Sequence, residues 1–167
     1  QKSVTGLLIV MISIVVYIAI VFRAMSSVLS PWAMGAAAIG AMAHDVLVPL
    51  GVFSYLSEFH NVEISAVFVA AILTVLGYSI SDSVVVFDRL RENILRFGKK
   101  ESFATLIHKS VMQTLTRSLN TTFTTMLPLF AIYFFGGATL QYFALALLIG
   151  IFLGSYSSIF VAAPLLY

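Results

Sequence analysis

None of the last fifty residues, 118–167, carries a charged side chain. A bilayer core about 30 Å thick is crossed by about 20 helical residues at 1.5 Å each. The run is therefore long enough for two passes, and Gly136-Gly137 offers the turn between them. In lipid a backbone must satisfy its own hydrogen bonds, so such segments are read as helices. Further long apolar stretches precede this one, and the spans are read as residues 4–22, 31–56, 64–87, 119–135 and 140–167. With 60% hydrophobic and 10% charged residues and a mean hydropathy of +1.05, the chain lies outside the soluble range. The expectation is an all-α membrane protein, residues 1–167 forming one transmembrane domain of five helices.

The few charges are unevenly spread. Six of the nine Lys and Arg lie between Asp82 and Arg117: Arg89, Arg91, Arg96, Lys99, Lys100 and Lys109. Basic residues collect on the cytoplasmic side of membrane proteins, so this is a topology signal rather than a nucleic-acid footprint. It predicts a cytoplasmic linker over residues 88–116, with the N-terminus outside and the C-terminus inside. The linker is amphipathic in two pieces, Leu90, Ile94 and Phe97 before Gly98, then Phe103, Leu106, Ile107 and Val111 after it. Two short helices lying at the bilayer interface are expected there.

Small residues mark the packing faces. Ala146, Gly150, Gly154, Ser158 and Ala162 recur at every fourth position, with a GxxxG at Gly150 and Gly154 that lets a neighbouring backbone approach closely. The second span is similarly rich in Gly and Ala, which suits an internal place in the bundle.

Against this apolar background a few polar groups need explaining. Asp82 ends an uncharged segment, 64–81, and an ionised Asp at mid-membrane costs roughly 2.5–3.5 kcal/mol on insertion scales. Arg89 is only about 10 Å further along a helix, so a surface position is one reading; the apolar residues 84–87 favour burial. Tyr78 and Ser79 are one turn earlier, on the same face. Arg117 opens a helix stripe continued by Thr121, Thr124 and Pro128. It can be an interfacial anchor whose Thr neighbours bond their own backbone, or a partner for Asp82. A buried carboxyl holds its proton more tightly and a nearby guanidinium loosens it, so movement between two such groups would load or release a proton. Asp45, beside His44 in the second span, can bond neighbouring helices or handle protons itself.

Other chemistries fit less well. The chain has no Cys, and His44, His60 and His108 are scattered, so no metal site or cofactor is expected. Two membrane carboxylates suggest an intramembrane aspartyl protease. The run Ser-Ile-Ser before Asp82 lacks the glycines such enzymes place there, and the chain is not read as an enzyme.

The run GYSISDSVVVFDRLREN, residues 77–93, resembles the signature of SecF in the bacterial SecD/SecF protein-export family. So do Ala43-His44-Asp45, QTLTRSL at 113–119, Phe135-Gly136-Gly137 and SSIFVA at 157–162. The motifs occur in the family's order across nearly the whole chain; one departure is Ser81, where the family often has Asn.

The resemblance implies six spans with a large periplasmic domain between the first and second, so that this chain corresponds to the part from the second span onward. It implies a plasma-membrane subunit, similar to resistance-nodulation-division transporters, that couples the proton-motive force to export of preproteins. Its partners would be SecD, the Sec translocation channel, exported preproteins and the lipid bilayer. The resemblance assigns Asp82 and Arg117 to the proton pathway, and the reading of the residues adds Asp45, His44, Ser79, Thr121 and Thr124 as supporting polar groups. The competing reading is a scaffold that packs SecD and the channel through its small-residue faces, without transport.

Overall fold

The computed structural model describes residues 31–166, apart from 61, 63, 64 and 99, together with residues 5, 6, 9, 12, 13, 16, 17 and 20. The expected first span, 4–22, thus lies largely outside the described residues. Four long helices follow in order: α1 Pro31–His60, α2 Ala66–Phe97, α3 Phe103–Phe135 and α4 Ala138–Ser157. A π-helical turn, Ser158–Ala162, and a 3-10 turn, Pro164–Leu166, complete the chain. No strand occurs among the described residues.

Three segments are long and apolar enough to cross a membrane: Met34–Phe59, Ala66–Phe97 and Leu140–Leu166. The expected span at 119–135 is helical but does not join them, because Asn120 and the threonines at 121, 122, 124 and 125 dilute its apolar character.

The region 88–116 differs from expectation. It is not a pair of separate short helices but the continuation of α2 and α3 into a hairpin whose turn lies between Phe97 and Phe103. The reason is a continuous register: Leu90 and Ile94 extend the buried face of α2 beyond Phe87 into the same core as Leu106 of α3. Buried Asn93 donates to Ser110 Oγ at 2.8 Å and to Gln113 Oε1 at 3.0 Å, and Arg89 Nε reaches the same Gln113 oxygen at 2.9 Å. At the turn, the Ser102 hydroxyl accepts the Thr105 amide as the α3 cap, and Lys109 lies over the Phe97 ring while binding Glu101 at 3.2 Å.

α4 is the centre of the bundle and packs on α1, α2 and α3. Its stripe of Ala146, Gly150, Gly154, Ser158 and Ala162 is buried throughout. A Cβ on Gly150 would stand 2.2 Å from Val75 Cγ2, and one on Gly154 would stand 3.1 Å from Ser79 Cβ. The two glycines therefore set how closely α4 lies against α2. The α-helix gives way to a π-turn at Ser158, two turns ahead of Pro164. Pro164 follows this turn, and its ring has no N–H to offer the carbonyl four residues back, at Phe160, so the α-helix does not resume there.

Candidate functional site

Two carboxylates stitch the helices together. Asp45 lies on α1 four residues before Pro49, which has no N–H to offer the Asp45 carbonyl. Its side chain is 0% exposed, and a buried carboxylate must find donors. The hydroxyls of Ser79 on α2 and Ser157 at the end of α4 both donate to Oδ2, at 2.5 and 2.6 Å. His44 Nδ1 stands 3.1 Å from Oδ1, and the carboxylate favours the tautomer that carries the proton on that nitrogen.

Asp82 repeats the pattern one helix further on. Ser118 of α3 donates to its Oδ1, and Ser158 of the π-turn donates to Oδ2 at 2.6 Å. The two sites interlock because Ser79 and Asp82 are three apart on α2, while Ser157 and Ser158 are adjacent. A residue spacing of three keeps a helical face, and the adjacent serines diverge to the two carboxylates.

Asp82 opens on a cavity of about 150 Å³ lined by Tyr78, Ser81, Asp82, Val85, Arg117 and Thr121. The Tyr78 hydroxyl closes onto Thr122 Oγ1 at 2.9 Å. Val85 and Arg117 also line a larger cavity of about 440 Å³ between α2 and α3, whose polar walls include Asp88, Arg89, Glu92 and Gln113. The pair Asp82 and Arg117 thus shares a cavity but forms no ion pair within 4 Å. The carboxylate is held by serine hydroxyls instead.

The remaining sequence candidates sort clearly. Thr121 and Thr124 are exposed and donate to the Arg117 and Asn120 carbonyls at 2.9 and 2.8 Å, the back-bonding usual for helical threonines. Sequence reasoning misses Ser118 and marks Ser158 only as part of a packing stripe. The available signal for Ser158 was a hydroxyl in a stripe otherwise made of Ala and Gly.

Replacing Asp45 by Ala would remove the acceptor that Ser79 and Ser157 share; Ser157 can turn to the Gly154 carbonyl at 3.2 Å, but the buried Ser79 hydroxyl loses its partner, at about 1–3 kcal/mol for a group left unsatisfied. We expect Asp45→Ala to lower the unfolding temperature in detergent clearly more than Asp45→Asn, which keeps one acceptor oxygen. Equal melting of both variants and the parent would mean that this carboxylate does not hold α1, α2 and α4 together.

Fold and site together define a polytopic α-helical membrane protein with a chain of hydroxyl-bound carboxylates in its interior. Comparison with known proteins makes this specific. The family described as "Protein export membrane protein SecD/SecF, C-terminal" matches residues 1–167, and the chain belongs to that family. It is 50% identical to the protein translocase subunit SecF of Thermobaculum terrenum over 167 residues, 99% of this chain and 51% of that protein. Against the subunit SecDF of Thermus thermophilus it is 46% identical over 134 residues, 80% of this chain and 18% of that one. The crystal structure of SecDF in the super-membrane-facing form superposes with a TM-score of 0.79 at 43% identity, covering 91% of this chain and 19% of the other. The chain spans about half the length of the SecF relatives it matches.

Proposed function

We propose that this chain is a portion of the membrane region of a SecF-type subunit of a bacterial plasma membrane, working with SecD and the Sec translocation channel. It couples the proton-motive force to export of preproteins, with Asp82 and Arg117 as its proton pathway. The basic hairpin and the C-terminus lie in the cytoplasm and the N-terminus of the chain lies outside. The observation that carries the reading is the setting of Asp82: a carboxylate on a membrane-length helix bound by two buried serine hydroxyls and open to a cavity that it shares with Arg117.

A partner is supported by the exposed polar residues of α3 around the mouth of this cavity. Arg117, Asn120, Thr121 and Thr124 are exposed on a helix that is not apolar enough to span alone. Hydrocarbon would cover that face badly, whereas another protein helix can pair with it. The SecDF designation of the Thermus relative supports SecD as that partner.

The alternative is a scaffold in which the same groups are only structural. The full-length subunit carrying Asp82→Asn together with Arg117→Met separates the two, since the pair is neutralised on both sides. We expect co-purification with SecD to persist and proton-dependent stimulation of preprotein export in proteoliposomes to vanish. Normal export by the doubly neutral subunit would refute the proton pathway and leave the scaffold.

A further inference from the structure

Ser158 has one hydroxyl proton and two acceptors in reach. Its Oγ lies 2.6 Å from Asp82 Oδ2 and 3.0 Å from the backbone carbonyl of Ser155. The residue is buried and is the first of the π-turn, a helical form that recurs at functional sites and differs from the α-helix by one step of hydrogen-bond register. We infer that Ser158 is the positioning residue that converts the protonation state of Asp82 into a change of hydrogen bonding in the π-turn. The inference rests on the proposed role of Asp82 as a proton site.

The hydrogen bookkeeping admits two arrangements. With Asp82 ionised, the Ser158 O–H donates to Oδ2 and the Ser155 carbonyl goes without it. When a proton from water arrives on Oδ2, that oxygen becomes a donor and needs an acceptor. Ser158 Oγ supplies it, and its own hydrogen turns to the Ser155 carbonyl. No bond between heavy atoms is made or broken; one proton is added and one hydroxyl rotates. The consequence falls on a carbonyl of the last α-helical turn before the π segment, where α and π registers compete.

The surroundings confine this effect to few groups. Tyr78 from α2 and Arg117 from α3 line the cavity at Asp82, and α1 brings Asp45 and His44 to the adjoining serines, with Tyr156 of α4 beside His44. The π-turn, SIFVA, contributes no titratable side chain. Ser157 stands in a parallel position, 2.6 Å from Asp45 Oδ2 and 3.2 Å from the Gly154 carbonyl, so the end of α4 meets both carboxylates through neighbouring hydroxyls.

The test uses the full-length subunit with SecD in proteoliposomes and two readouts. The first is the carboxylic C=O infrared band assigned by its absence in Asp82→Asn. The second is a spin label at Phe160→Cys, an exposed site inside the π-turn of a chain that has no cysteine of its own, with any other cysteine of the assembly removed. We expect the label spectrum to respond to a pH step in the parent. The response should be lost in Ser158→Ala, where the C=O band persists but moves to higher wavenumber, and be retained in Ser158→Thr, which keeps the hydroxyl. An unmoved band with an unchanged label response in Ser158→Ala overturns the inference, as does a parent whose band titrates while the label stays silent; in both cases the proton-site reading survives. Absence of any titrating band overturns both together.

Discussion

Asp82→Asn, introduced alone into the full-length subunit assembled with SecD, is expected to abolish the proton dependence of preprotein export while leaving assembly intact. The asparagine keeps the shape of the side chain and offers one acceptor and one donor where the carboxylate offered two acceptors. Ser118 and Ser158 are hydroxyls that can accept as well as donate, and Ser158 has the Ser155 carbonyl as an alternative acceptor, so the variant can remain bonded. What it cannot do is change charge. One elementary charge moved through 100 mV is worth about 2.3 kcal/mol, and driving a two-state element from 1:99 to 99:1 takes about 5.5 kcal/mol. A single proton therefore produces a full swing only with a larger potential, an added pH gradient, or a smaller shift of populations. In the proposed pathway the asparagine leaves no carboxylate at this site for a proton to load. The measurement is preprotein export by proteoliposomes with and without an imposed proton-motive force, beside co-purification with SecD. An Asp82→Asn subunit that still responds fully to the force would remove Asp82 from the mechanism.

What could be read from the sequence depended on whether the deciding interaction was local. The spacing of Gly150, Gly154 and Ser158 is a property of one helix, and the buried face it marks is where α4 meets its neighbours. The oddness of Asp82 is also local, since an acidic residue after a long apolar run is unusual whatever surrounds it. Its partners are not local. Ser118 and Ser158 lie 36 and 76 residues away, and serine is too common and too easily satisfied by its own helix to announce a long-range bond. Arg117 was the more conspicuous partner because it is charged. Helix periodicity gives its angular position but not its distance from Asp82, and the cavity between the two is a product of packing.

The hairpin at 88–109 shows a different limit. Hydropathy falls sharply at Asp88, which suggests that the membrane helix ends there. The 3.6-residue pattern continues through Leu90 and Ile94, and it is this packing periodicity, backed by the Asn93 clasp, that keeps α2 and α3 helical beyond the apolar span. Hydropathy reports the solvent; periodicity reports the neighbour. Where they disagree, the helix follows its neighbour. The same contrast explains why α3 is fully helical although it falls short of the apolar character of a span.

Gly150→Ala is expected to damage the structure itself, and more severely than the size of a methyl group suggests. In most buried helix positions Ala would stabilise, since Gly costs roughly 1 kcal/mol against Ala in a helix interior. Here the added Cβ would stand 2.2 and 2.7 Å from the two methyls of Val75 and 3.0 Å from its Cβ, and Val75 is itself 0% exposed. A β-branched side chain in a helix has one favoured rotamer, so Val75 cannot swing away cheaply, and α4 must lift from α2. Overpacking of this kind typically costs 1–3 kcal/mol. The displacement also reaches the site, because Ser79 and Asp82 follow Val75 on α2 while Ser157 and Ser158 follow Gly150 on α4, one and two turns toward the same end. Lifting the helices at the glycine weakens the Ser158–Asp82 bridge between them and pulls apart Ser79 and Ser157, which share the Asp45 carboxylate of α1. Gly150→Ala should therefore lower the detergent melting temperature and reduce export together, and Val75→Ala added to it should recover much of both, since it removes the two methyls in the closest contacts. A Gly150→Ala subunit as stable as the parent would show that α2 and α4 do not approach as closely as this packing requires; loss of stability without rescue by Val75→Ala would place the conflict elsewhere than at Val75.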